Sequence, residues 1–103
     1  MPEQADREFL VIICETGTSG EVIRHIEAAG VVHYTIHRGA TGCGETGRHE
    51  GTPVWPGDCT TVFACVGKEQ VGPILQELTA LHSSRGRHSL GLKVFSLPAH
   101  ELL

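Results

Sequence analysis

Two runs of residues dominate the folding problem this chain poses. Phe9-Leu10-Val11-Ile12-Ile13-Cys14 and Thr60 to Val66 are apolar and β-branched almost without interruption. Alternating polarity would mark a strand with one wet face. Continuous apolarity instead predicts central strands covered on both faces. With 103 residues the chain has room for one domain and only a thin core. A single layer of helices can cover one face of a small sheet. The other face then needs a second copy of the chain, so the runs also predict self-association.

The rest of the chain fills in around these two strands. Thr16 to Gly20 breaks the first run, and Thr18 followed by Glu21 has the spacing of a capping box. Val22, Ile23, Ile26 and Ala29 then recur at helical spacing, and Gly30 is a natural C-terminal stop. Val31 to Arg38 alternates, with Val32, Tyr34 and Ile36 on one side and His33, Thr35 and His37 on the other, as a strand would. Residues 39–57 hold six glycines and two prolines and show no periodicity, so they are expected to be a long loop. After the second apolar run, Val71, Ile74, Leu75, Leu78 and Leu81 mark a helix within Lys68 to His82. Pro73 either opens that helix or follows a separate first turn. Residues 83–89 are a polar loop, Leu92 to Leu97 a last strand, and Pro98 its expected end.

The order is therefore βαββαβ. It implies an α+β fold of the split βαβ, ferredoxin-like type, a four-stranded antiparallel sheet with both helices on one face. All of 1–103 forms one such domain. Formal net charge is −4 and the lysines and arginines are scattered, which excludes the basic stripe of a nucleic-acid binder. No apolar run is long enough to cross a membrane, and the polar, acidic opening MPEQADRE does not read as a secretion signal. A cytoplasmic chain is expected, with Cys14 and Cys65 as buried thiols inside apolar runs.

Chemistry concentrates in two loops. In the first, Gly42, Gly44 and Gly47 expose successive backbone amides that can cradle an anion, with Thr41, Thr46 and Arg48 as further donors. The stretch Gly42 to Gly47 fits GxGxxG but opens no helix, so it is not a dinucleotide fingerprint. In the second, Arg85, Arg87, His88 and Lys93 gather cations around glycines, a composition suited to phosphate. Among the seven histidines, the only grouping with metal-ligand chemistry is Cys43, His49 and Cys59 with Glu45 or Glu50, at spacings that match no zinc motif. No nucleophile elbow is present, and Cys43 with His49 lacks an orienting group, so catalysis is not expected.

The run Tyr34-Thr35-Ile36-His37-Arg38-Gly39-Ala40-Thr41-Gly42-Cys43-Gly44-Glu45-Thr46-Gly47-Arg48-His49 resembles the base of the T-loop in PII signalling proteins. Ser84-Arg85-Gly86 through Gly91-Leu92-Lys93-Val94-Phe95 resembles the same family's B-loop. The resemblance covers nearly the whole chain in element order. It implies a homotrimer whose open sheet faces form a shared core, with 39–57 as T-loop and 83–91 as B-loop. It implies adenine nucleotide between subunits, with Gly42, Gly44 and Glu45 on one side and Arg85, Gly86, Gly91 and Lys93 on the other. The first loop has no tyrosine, so tyrosine uridylylation is not expected. Glu45 stands where the family has glutamine, and the B-loop lacks its tight Gly-x-Gly-Lys turn. The chain also lacks the family's C-terminal arginines, which favours ADP or AMP over ATP. These departures resemble the PII-like branch. That implies bicarbonate as a second ligand and a membrane transporter or carboxysome-related partner. The alternative is a trimeric metal-binding protein resembling the CutA family, with Trp55 as its marker and Cys43, His49 and Cys59 as donors.

Overall fold

The computed structural model describes residues 6–40, 42–44, 47–49, 59–84 and 91–103. Its elements run β1 (Arg7–Glu15), α1 (Ser19–Ala28), β2 (Thr35–Ala40), β3 (Gly42–Gly44), β4 (Gly47–His49), β5 (Cys59–Gly67), α2 (Val71–Ser84) and β6 (Lys93–Ala99). Four strands form one sheet in the order β2-β5-β1-β6, all neighbours antiparallel, and β3 pairs with β4 separately. This is the ferredoxin-like α+β arrangement expected from the element order.

The two apolar runs do occupy the centre of the sheet, but each is buried on one face only. Leu10, Ile12 and Cys14 of β1 lie opposite Ala64, Val62 and Thr60 of β5, and all six are buried. They pack against Val22 and Ile26 of α1 and Ile74, Leu78 and Leu81 of α2. Each large apolar side chain among them contributes roughly 1.5–3 kcal/mol relative to exposure. The alternate residues Phe9, Val11 and Ile13 are half-buried, facing Cys65, Phe63 and Thr61 on β5 and Leu97, Phe95 and Lys93 on β6. Phe95 and Leu97 are 54% and 52% exposed, and Cys65 is exposed rather than buried as its apolar run suggested. Phe9 and Phe63 stack across this face with ring centroids 5.8 Å apart.

Local chemistry explains where the elements start and stop. The Thr18 side chain makes no cap bond to α1, although its capping-box spacing with Glu21 suggested one. A 3-10 turn over Thr16–Thr18 leads into the helix, and Thr18 donates its hydroxyl to the Glu15 carbonyl at 2.9 Å. Ser19, buried, donates likewise to the Thr16 carbonyl at 2.8 Å. At the other end Gly30 has φ 98°; its N–H donates to the Glu27 carbonyl, and that of Val31 to the Ile26 carbonyl. Buried Val31 folding onto buried Ile26 completes a Schellman stop. This fold-back is why β2 begins only at Thr35, and why Val32, expected in that strand, is 76% exposed. Tyr34 still leans on the core, its hydroxyl donating to the Glu27 carboxylate at 2.8 Å; that bond raises the Tyr34 phenol pKa.

The second helix takes the separate-turn form. Lys68–Gln70 is a 3-10 turn whose Gln70 side chain accepts from the Gly67 N–H at 2.8 Å. Pro73 then falls in the first turn of α2, where its missing N–H has no intrahelical partner to lose. His25 and Glu77, 3.0 Å apart, join the two helices. Pro98 does not end the last strand: β6 continues to Ala99, with Pro98 opposite Glu8. A sheet-edge strand tolerates this, because half of its N–H groups serve no ladder. Arg7 and Glu101, 3.3 Å apart, tie the far end of β1 to the chain beyond β6.

Candidate functional site

Both loops singled out from the sequence leave the sheet at the same end. There β2 finishes at Ala40, β5 begins at Cys59, β1 finishes at Glu15 and β6 begins at Lys93. Ala40 pairs with Cys59, Cys59 with Glu15, and Ile13 with Lys93. One sheet row just inside this end therefore carries His37, Thr61, Ile13 and Lys93, from edge to edge, on the face without helices.

The two edges stand apart. Three strand spacings separate β2 from β6, about 14 Å. The first loop starts from one edge, and Lys93 stands on the other. Where the first loop begins, the ladder between β2 and β5 shifts register between Arg38 and Ala40, and Gly39 takes φ 84°. Only glycine adopts that conformation without strain, and the bulge turns the chain out of the sheet. Beyond it the glycine-rich stretch is not wholly irregular, because β3 and β4 form a short antiparallel pair. Alternating glycines carry no hydropathy pattern, so sequence periodicity could not reveal this hairpin.

At the other edge Gly91 has φ 61° and sits against Glu15. A Cβ at Gly91 would lie 3.4 Å from Glu15 Cγ and 3.9 Å from its backbone nitrogen. Between the loops the end of the sheet is closed by a hydrogen bond between the Thr16 and Thr60 hydroxyls, 2.8 Å, with Thr60 fully buried. Cys14 lies beneath it, and burial pushes its thiol up to about 11 against the opposing hydrogen bond from Thr18. A thiol held protonated in this way is a poor nucleophile near neutral pH.

The expected site residues divide accordingly. Gly91 and Lys93 are placed at the β6 end, with Lys93 exposed. Gly42 and Gly44 lie on β3, and Arg48 on β4 opposite Cys43. Glu45, Thr41, Thr46, Arg85 and Gly86 lie outside the described residues, as do most of the expected T-loop 39–57 and B-loop 83–91. Of the alternative metal donors, Cys59 is a half-buried thiol at the start of β5. The hairpin register sets Cys43 across from Arg48 and His49 across from Gly42, so those two are not cross-strand partners. Among the described residues no three His, Cys, Asp or Glu side chains converge on a metal position. Sequence reasoning did not place Glu15 beside these loop ends; strand pairing does. Its signal was faint, a lone carboxylate ending a central apolar strand.

A four-stranded antiparallel sheet with both helices packed on one face, apolar side chains on the other and two connections leaving at one end defines a ferredoxin-like domain. The nitrogen regulatory protein P-II family matches residues 7–102, and the chain belongs to that family. It is a PII-like regulatory protein, as the resemblance of its loops implied.

Solved structures agree. The chain is similar to CPII, a nitrogen regulatory PII-like protein from Thiomonas intermedia K12 bound to ADP, AMP and bicarbonate. The two are 28% identical, with a TM-score of 0.70, over 87% of this chain and 88% of that one. The same protein bound to ADP and bicarbonate matches at 26% identity and a TM-score of 0.70, over 92% and 89%. A PII-like signalling protein from Thermus thermophilus shares the fold at 20% identity and a TM-score of 0.57, over 88% and 82%. No curated protein matches this chain at a significant level. Among the described residues no helix is long and apolar enough to cross a membrane.

Proposed function

We propose that this chain is a non-enzymatic adenine-nucleotide sensor that works as a cytoplasmic homotrimer. ADP or AMP is the preferred nucleotide, with ATP the weaker ligand and bicarbonate a second ligand beside it. The nucleotide lies between subunits, against Gly42, Gly44 and Glu45 of the T-loop base and Arg85, Gly86, Gly91 and Lys93 of the B-loop. Thr41, Thr46 and Arg48 supply anion or partner contacts. Occupancy resets the T-loop, which regulates a membrane transporter or another partner in carbon and nitrogen metabolism.

The observation that carries this reading is the likeness, over 87% of the chain, to a PII-like protein bound to ADP, AMP and bicarbonate. The edge-to-edge separation supports the intersubunit placement: one nucleotide touching both loops is more readily served by edges of adjacent copies than by edges about 14 Å apart. The exposed apolar face supports the oligomer. No observation favours the CutA-like metal reading.

The test is a melting and calorimetric titration of the full chain with AMP, ADP and ATP, each with and without bicarbonate. A ligand at 100 times its Kd that binds only the folded form stabilises it by about 2.7 kcal/mol, which is readily seen. AMP and ADP should raise the melting temperature, and Lys93→Ala with Arg85→Ala should shrink that rise. Absence of any shift at millimolar nucleotide overturns the proposal.

A further inference from the structure

Glu15 lies against the ends of both loops. Its backbone pairs with Cys59, where the chain returns from the first loop. Its side chain lies under Gly91, where the chain leaves the second. The β1–β6 register pairs Ile13 with Lys93, so two residues further on Glu15 comes opposite Gly91. Glu15 and Lys93 are thus diagonal neighbours on the sheet face without helices, roughly 7–8 Å apart at their α-carbons and within reach of two long side chains. Glu15 is half-buried, and glycine at 91 puts no side chain of its own between them.

The geometry points to Glu15 as the residue that grades ligands by their negative charge. The inference rests on the nucleotide reading above and deepens it. Lys93 attracts any phosphate brought to this end of the sheet. Glu15, beside it, repels the same phosphate, and the repulsion grows with each added charge. Adenosine carries none, and AMP, ADP and ATP carry successively more. A carboxylate about 8 Å from a phosphate held at Lys93, in a half-buried setting, would weaken binding roughly three- to tenfold per added charge. The site then favours the less phosphorylated nucleotides because of a carboxylate on its own central strand.

Calorimetry on the full chain with adenosine, AMP, ADP and ATP, in EDTA and again with magnesium, tests this. Glu15→Gln keeps the size and hydrogen-bonding capacity of the side chain and removes its charge. In EDTA it should raise the ATP-to-AMP affinity ratio roughly ten- to a hundredfold, for two added charges, and leave adenosine unchanged, while Glu15→Asp keeps the wild-type ratio. Should the Gln variant melt early without ligand, Glu15→Ala gives the same readout. An unchanged ratio, or equal tightening of all four ligands, overturns the inference. A ratio that falls only with magnesium also overturns it, because Glu15 would then be holding a cation on the phosphates. Failure of the wild type to bind any adenine nucleotide overturns the nucleotide reading itself. Binding with an unmoved ratio sinks the role of Glu15 alone.

Discussion

The two faces of the central sheet are made from the same strands and have opposite fates. On one face Leu10, Ile12, Val62, Ala64 and Val66 are 3% exposed or less and are sealed by two helices. On the other, Phe9, Val11, Phe63, Phe95 and Leu97 are equally apolar, yet no described element covers them. The first face is therefore completed by the fold, and the second is left open by it. The sequence does not distinguish the two, because the residues of both faces are apolar.

The sharpest way to break the comparison is a charge on the second face. Phe95→Asp should reduce the assembly to single chains by light scattering while far-UV circular dichroism stays native. A variant that remains assembled would show that the exposed face is not the contact. Next in size is the mirror experiment on the first face. Ile12→Ala should cost about 3–4 kcal/mol, lowering the melting temperature by roughly 15 °C or more. A shift of only a degree or two would contradict the sealed core.

A smaller effect reports on the rim of the sealed face. Burial raises Cys14 to about 11 from 9.0. Above pH 9 the unfolded chain loses this proton and the folded one keeps it. The stability this group contributes is thus intact below pH 9 and declines through about pH 11. The loss is at most about 3 kcal/mol. Urea melts between pH 8 and 11 should show that slope, and Cys14→Ala should flatten it. An identical slope in the variant would assign the alkaline loss elsewhere.

Much of the fold was legible because its signals are local. β1 and β5 announced themselves by β-branched runs, α1 and α2 by their stripes, and the end of α1 by Gly30. What misled was competition between local options. The Thr18 hydroxyl could cap a helix or bond the Glu15 carbonyl, and the turn at Thr16 decided for the second. Val32 fitted an alternation that the fold-back at Val31 overrode. Pro98 looked like a strand end, but an edge strand has spare N–H positions. Cys65 looked buried because its neighbours in sequence are apolar, although it lies on the uncovered face. At the loop end of the sheet, Gly91 and Lys93 were readable as a glycine and a cation near a loop. Glu15 was not, because only strand pairing brings it between two loops that are distant in sequence.

Both margins of the sheet are interrupted. The bulge at Gly39 breaks the β2 edge, and Pro98 removes a donor from the β6 edge. Proteins that must avoid endless strand addition blunt their edges in these ways. The consequence concerns growth. A chain with a bare apolar face and two damaged margins can satisfy itself by stacking face to face in a closed group. It has poor means of lengthening into a ribbon. The bulge that launches the first loop thereby also blunts one margin of the sheet against further strands.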